Sequence, residues 1–189
     1  PGTVIISAVG EVTDLKKVVE PVLQKDFDST LIYLDLSDGR FNLGGSSFAQ
    51  VIGKVGSSAP TVDDSDRFSA SFNLVQALIE EGKILAGHDV SAGGLITALL
   101  EMCFSQPELG IAANLKGFNT EDDVATFFSE QPALLLQVSK EDLADVKLLI
   151  EELGIGCPLS GSKNWTDVKQ FNLMIGTKLG ASAESAMDL

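Results

Sequence analysis

A chain of 189 residues that is 44% hydrophobic, 21% charged and 6% aromatic has the makeup of a globular protein, able to bury most of its apolar surface without disulfides or metals. Its 27 acidic against 13 basic residues give a formal charge of −14 with no Lys/Arg cluster, so direct nucleic-acid binding, which needs cations to displace counterions, is not expected. No apolar run is long enough to cross a bilayer, no signal-peptide pattern opens the chain, and no membrane partner is expected.

Pro1–Ile6 opens a strand, Thr3 to Val9, that begins abruptly, as at a cut in a longer chain. Thr30 to Leu36 reads as a second strand, ending at the turn Ser37-Asp38-Gly39, and Ser46 to Val55 as a short helix. Pro60 breaks the chain. Asp63 to Asp66 then bring acidic charge to the start of a helix reaching Glu81, in which Phe68, Phe72, Val75, Leu78 and Ile79 recur at helical spacing and predict one buried face. Lys83 to Val90 reads as a strand, and the helix from about Leu95 to Phe104 is apolar on nearly every side, which predicts a central position.

Pro107 and the stretch Gly117–Asp123 read as loops within one unit, with acidic Glu121–Asp123 a solvated helix start. Ala133 to Val138 predicts a strand and Lys140 to Leu153 an amphipathic helix; further strands are expected near Gly156 to Leu159 and Val168 to Ile175. No internal repeat appears. The expectation is a single α+β domain over residues 1–189, a mixed β-sheet covered by helices.

Two segments could carry chemistry. In Gly87-His88-Asp89-Val90-Ser91-Ala92-Gly93-Gly94-Leu95 a strand delivers Asp89 and Ser91 to its end and a helix follows at once. Free N–H groups at a helix start bind anions, Asp89 offers a hard oxygen for Mg²⁺, and Ser91 can donate to phosphate or ribose. The same spacing equally suits Asp89 or Ser91 as a plain helix cap. In Leu43-Gly44-Gly45-Ser46-Ser47 a glycine turn again feeds a helix, which makes Gly44, Gly45 and Ser46 a weaker phosphate-binding candidate.

Gly53-Lys54 lacks the upstream glycine and the following Ser/Thr of a Walker loop. His88, the only histidine, has no Gly-x-Ser-x-Gly elbow to serve and is read as support for Asp89 or as packing. Cys103 and Cys157 lack metal or redox spacing; Cys103 reads as a small buried hydrophobe, and free thiols suit a cytoplasmic protein. Trp165 and Tyr33 stand singly and form no stacking platform.

The run LDLSDGRFNLGGSSFAQVIGKVG followed by AGHDVSAGGLITALLEMCFS resembles the phosphoribosylformylglycinamidine synthase family in its long single-chain form. More closely, it resembles the second of two domains there that are similar to the C-terminal half of aminoimidazole ribonucleotide synthetase, and the likeness runs from PGTVIISAVG through FNLMIG. The resemblance implies a ligase of purine biosynthesis that phosphorylates the amide oxygen of formylglycinamide ribonucleotide with ATP and displaces the phosphate with ammonia from glutamine. By position it implies Asp89 as a Mg²⁺ ligand and Ser91 as an ATP/ADP contact, in a site shared with the preceding synthetase domain.

A glutaminase domain downstream would complete the glutamine amidotransferase. The family's catalytic histidine and nucleophilic cysteine lie in segments unmatched here, so Cys103 and Cys157 inherit no role, no catalytic residue is assigned, and the isolated chain is expected to be inactive. Ala92 stands where the family often carries an acidic residue. The alternatives are a structural half-domain holding a nucleotide that does not turn over, and a domain of a related ATP-dependent enzyme such as selenophosphate synthetase or a thiamine-phosphate kinase.

Overall fold

The structure is a computed structural model and describes residues 5–26, 28–37, 39–107, 109–111, 118, 122–152 and 169–171. A 3-10 turn at Leu15–Lys17 is followed by β1 (Ser29–Asp35), α1 (Ser47–Val51), α2 (Ser65–Glu80), β2 (Ala86–Asp89), α3 (Gly94–Phe104), α4 (Asp123–Phe128), β3 (Ala133–Ser139), α5 (Leu143–Glu152) and β4 (Lys169–Phe171). The strands form one sheet in the order β2-β3-β1-β4.

Every residue of β1 is buried because both faces of the strand are covered. Leu31 and Tyr33, with Leu135 of β3, pack against Leu95, Ala98, Leu99 and Met102 of α3. Ile32 and Leu34, with Leu136 and Val138, pack against Leu74, Val75 and Leu78 of α2 and Val146 and Ile150 of α5. A strand covered on both sides needs a continuous apolar run rather than an alternating one, which is what LIYL and LLL supply. Each fully buried aliphatic side chain contributes about 1.5–3 kcal/mol, so these two layers dominate the stability of the fold.

The α+β class holds. The sheet, expected to be mixed, pairs antiparallel at every junction among the described residues: β1 with β3 from Ser29↔Ser139 to Asp35↔Ala133, β2 with β3 from Ala86↔Gln137 to Asp89↔Leu134, and β1 with β4. The cause lies in the connection. Helix α3 leaves from the end of β2, and the segment after α4 returns the chain to that same end, so β3 must run back beside β2.

The buried stripe of α2 comprises Ser71, Leu74, Val75 and Leu78, whereas Phe72 is 55% exposed. At about 100° per residue, Phe72 stands too far round the helix to join Leu74 and Leu78; its place inside is taken by Ser71, whose Oγ donates to Arg67 O at 2.8 Å. Helix α3 is likewise less central than its composition predicts, since Leu100 and Phe104 face outward.

The strand expected from Thr3 is absent over the described residues 5–9, where Ile5, Ile6 and Val9 are exposed and unpaired with the sheet. Further on the chain does cover the sheet edge: Gly87 N donates to Glu20 O, Leu23 N to Met102 O, and the buried Gln137 amide holds Gln24 by both its N–H and its carbonyl. Of the later calls, β4 falls within the expected Val168–Ile175 strand, while Gly156–Leu159, Cys157 and Trp165 lie outside the described residues.

Candidate functional site

Strand β2 ends at Asp89, and its pairing with β3 continues one residue further through Val90 N to Ala133 O at 2.8 Å. The alternation of an extended chain does the rest. Val90 is buried in the core, while Asp89 and Ser91 on either side are exposed, with the Asp89 side chain 71% accessible. The two candidate residues therefore stand on the same side of the chain at the end of the strand.

The turn that follows is built by Gly93 and Gly94, both at positive φ, 89° and 75°, with Gly94 N donating to Ser91 O. Gly93 is the N-cap of α3 and makes no side-chain cap hydrogen bond. Neither Asp89 nor Ser91 is therefore spent as a cap. His88, only 13% exposed, braces the strand end: Nδ1 lies 2.7 Å from the Asp89 carbonyl oxygen and 3.5 Å from Asp89 Oδ1, and Nε2 lies 3.0 Å from Glu101 Oε2 on α3. Both ring nitrogens face oxygen acceptors, which locks the ring orientation.

The second segment forms the expected turn, with its donors already engaged. Gly44 N donates to Ser58 O at 2.9 Å and Gly45 N to Val55 O at 2.8 Å. A Cβ on Gly44 would stand 2.5 Å from Ser58 O, so the glycine is required by close approach of backbone. Ser46 is buried and serves as N-cap of α1, its Oγ accepting from Ala49 N and donating to Leu43 O.

What joins the two segments is Glu130, which sequence reasoning missed. Its Oε1 accepts from Ser47 N at 2.7 Å and from Gly93 N at 2.8 Å, so one carboxylate serves the starts of both α1 and α3. Burial by itself raises the Glu130 pKa, but the hydrogen bonds from Gly93 N–H, Ser47 N–H and the Ser47 hydroxyl outweigh it and hold the group below its ordinary value. The neighbouring Ser129 Oγ donates to Asn42 O, and the Phe48 and Phe128 rings stack at 4.8 Å, tying the same segment to the Gly44 loop. Glu101 was also missed, although it lies inside the quoted LLEM run. No local pattern marks Glu130, because its partners are 83 and 37 residues away.

Among the described residues no group of three His, Cys, Asp or Glu could hold a metal ion. The donor at Asp89 is nevertheless of the kind that Mg²⁺ takes, a single exposed carboxylate, with the rest of an octahedral shell to be supplied by phosphates, water or other protein. Cys103 is half-buried against the α3 core layer and burial pushes its thiol pKa up, the opposite of an activated nucleophile.

Over 163 residues, 86% of its length, the chain is 37% identical to the probable phosphoribosylformylglycinamidine synthase, chloroplastic/mitochondrial, of Arabidopsis thaliana. The chain belongs to the phosphoribosylformylglycinamidine synthase family. It spans 11% of the length of that relative. Solved structures of Thermotoga maritima PurL share the fold: the AMPPCP complex matches with a TM-score of 0.55 over 86% of this chain and 24% of that one at 12% identity, and the ATP complex with 0.53 over 74% and 22% at 14% identity. A sequence profile for glycyl-tRNA synthetase insertion domain 1 matches residues 114–173, under half of the chain, and includes neither Asp89 nor Ser91. Membership of the synthase family sets selenophosphate synthetase and the thiamine-phosphate kinases aside.

Proposed function

We propose that this chain forms one wall of an ATP–Mg²⁺ site in a purine-biosynthesis ligase that converts formylglycinamide ribonucleotide to formylglycinamidine ribonucleotide using ATP and glutamine. The observation that carries the proposal is the pair Asp89 and Ser91, exposed together at the end of β2 and free of capping duty, in a chain so similar to a synthase of that name. Thermotoga maritima PurL, whose fold it shares, has been solved with ATP, ADP and FGAR.

In this proposal Asp89 supplies one oxygen to Mg²⁺ and the Ser91 hydroxyl donates to the nucleotide. The cation, when bound, would neutralise phosphate charge. His88 and Glu101 hold the strand end in place. Gly44, Gly45 and Ser46 frame the adjacent loop; a phosphate contact there would require the two glycine N–H groups to leave Ser58 and Val55. Residues 1–189 act as one domain, completed by a preceding synthetase domain and served by a downstream glutaminase domain. A cytoplasmic location is proposed from the free thiol of Cys103; the Arabidopsis relative is named chloroplastic/mitochondrial.

The test is Asp89→Asn in the intact protein. Losing a charge-assisted metal contact is expected to weaken Mg·ATP by about 2–3 kcal/mol, roughly tenfold to a few hundredfold, with an unchanged thermal melt. Lost turnover with intact folding supports a catalytic nucleotide, and lost assembly supports a structural one. Wild-type affinity and turnover would refute the site.

A further inference from the structure

The loop that presents Asp89 and Ser91 is held at both ends by one short segment. Val90 N is bound to Ala133 O at 2.8 Å, and Gly93 N to Glu130 Oε1 at 2.8 Å. Glu130 and Ala133 are three residues apart in the stretch leading into β3, so Ser91 is strung between two anchors of the same origin. The anchor at Ala133 is ordinary sheet pairing. The anchor at Glu130 is a side chain, and the residue it holds is a glycine at φ 89°, which without that bond has a wide choice of conformations.

The same oxygen also takes Ser47 N at 2.7 Å, and so sets the distance between the Asp89–Gly93 loop and the start of α1. A Cβ on Gly94 would stand 2.6 Å from Phe127 O, so the turn rests directly on the backbone that carries Glu130. Glu130 is bonded to neither Asp89 nor Ser91. Any influence it has on them passes through Gly93.

We propose that Glu130 is the positioning residue of the nucleotide site, a carboxylate clamp that fixes the Asp89–Gly93 loop against the Gly44–Ser47 turn; this rests on the nucleotide reading of Asp89 and Ser91. The clamp also decides where an anionic ligand can sit. The Gly93 N–H, which a phosphate would otherwise find free at the start of α3, is already taken by a negative charge of the protein itself. With that amide occupied, the phosphates are directed toward the Ser91 hydroxyl and a cation on Asp89 and away from the Gly93 amide. The hydrogen bonds from Gly93 and Ser47 outweigh burial and hold the Glu130 pKa below its ordinary value, in agreement with this geometry.

The experiment compares Glu130→Ala, Glu130→Gln and Glu130→Asp in the intact protein by Mg·ADP titration calorimetry, amide exchange at Gly93 and Ser47, and thermal melting. Removing the acceptor in Glu130→Ala should weaken Mg·ADP about tenfold and deprotect both amides, whereas Glu130→Gln, which keeps an acceptor oxygen at the same reach, should stay within about threefold of wild type. Weakened Mg·ADP binding by the alanine variant at a temperature where its melt shows it fully folded is the signature that a merely stabilising role would not give. If Glu130→Ala does not fold, Glu130→Asp decides, because its shorter side chain cannot reach both amides and should bind Mg·ADP more weakly than Glu130→Gln. Wild-type affinity in the folded alanine variant, or in the aspartate variant where alanine does not fold, overturns the proposal, as does an equal loss in alanine and glutamine variants with both amides still protected. Unchanged Mg·ADP affinity in Asp89→Asn would instead sink the nucleotide reading and this proposal's positioning role with it, while exchange at Gly93 and Ser47 in the Glu130 variants would still report whether the clamp exists.

Discussion

The Nε2 of His88 lies 3.0 Å from Oε2 of Glu101, and this contact couples the end of strand β2 to α3. The imidazole is nearly enclosed and its other nitrogen faces the Asp89 carbonyl, so the pair acts on the backbone that presents Asp89. Because Glu101 is 44% exposed, the contact is partly screened and worth less than about 1 kcal/mol in stability. Glu101→Ala is expected to change the urea midpoint little and to weaken Mg·ADP by a few-fold, measured by titration calorimetry. Wild-type affinity would reduce His88 and Glu101 to packing.

Gly94 and Gly45 make a controlled comparison. Both sit at positive φ, 75° and 77°, but a Cβ on Gly94 would meet Phe127 O at 2.6 Å and one on Gly45 would meet nothing within 4 Å. Gly45→Ala should cost only the left-handed strain, about 1–2 kcal/mol. Gly94→Ala adds overpacking against backbone that cannot rotate away, for a total of roughly 3 kcal/mol or more. Equal losses in the two variants by chemical denaturation would show that the α3–α4 contact yields easily.

Glu130 sets a pH dependence. Its folded pKa is held below the ordinary value of 4.5, so over the window between the two values the unfolded chain binds more protons and stability rises with pH. The contribution is complete above the unfolded glutamate pKa and is lost as pH falls through the lower folded one. The difference in urea midpoint between wild type and Glu130→Gln should therefore be constant near neutrality and shrink as the solution is acidified below pH ~4.5. A difference that grows on acidification would contradict the assigned hydrogen bonds.

The peptide of residues 1–189 by itself is expected to make no glutamine-dependent product. In the proposed site Asp89 is a lone carboxylate, no cluster of metal ligands stands among the described residues, and burial pushes the Cys103 thiol pKa up. Product formation by the purified peptide, assayed with ATP, Mg²⁺ and glutamine, would overturn the proposal that other domains complete the site.

Local order was largely written in local sequence. The apolar runs at Leu31–Leu34 and Leu134–Leu136 are strands, Asp64 caps α2 through the N–H groups of Asp66 and Arg67, and Asp122 caps α4 through Ala125 N, because strand formation and capping depend on residues a few positions apart. The same holds for Asp89 and Ser91: the alternation of an extended chain puts them on one side of β2 wherever that strand lies. Burial of α2 was only half legible, since the period predicted an inward face but its exact direction depended on where α5 and the sheet lay; Phe72 turned out and Ser71 in. Sheet direction, the missing pairing of residues 5–9 and the Glu130 clamp depended on partners far along the chain. A hydrogen bond between residues 83 apart leaves no periodicity at either end, and only packing of α4 against α3 brings the Glu130 carboxylate to the two helix starts that, read as sequence, had seemed open to a phosphate.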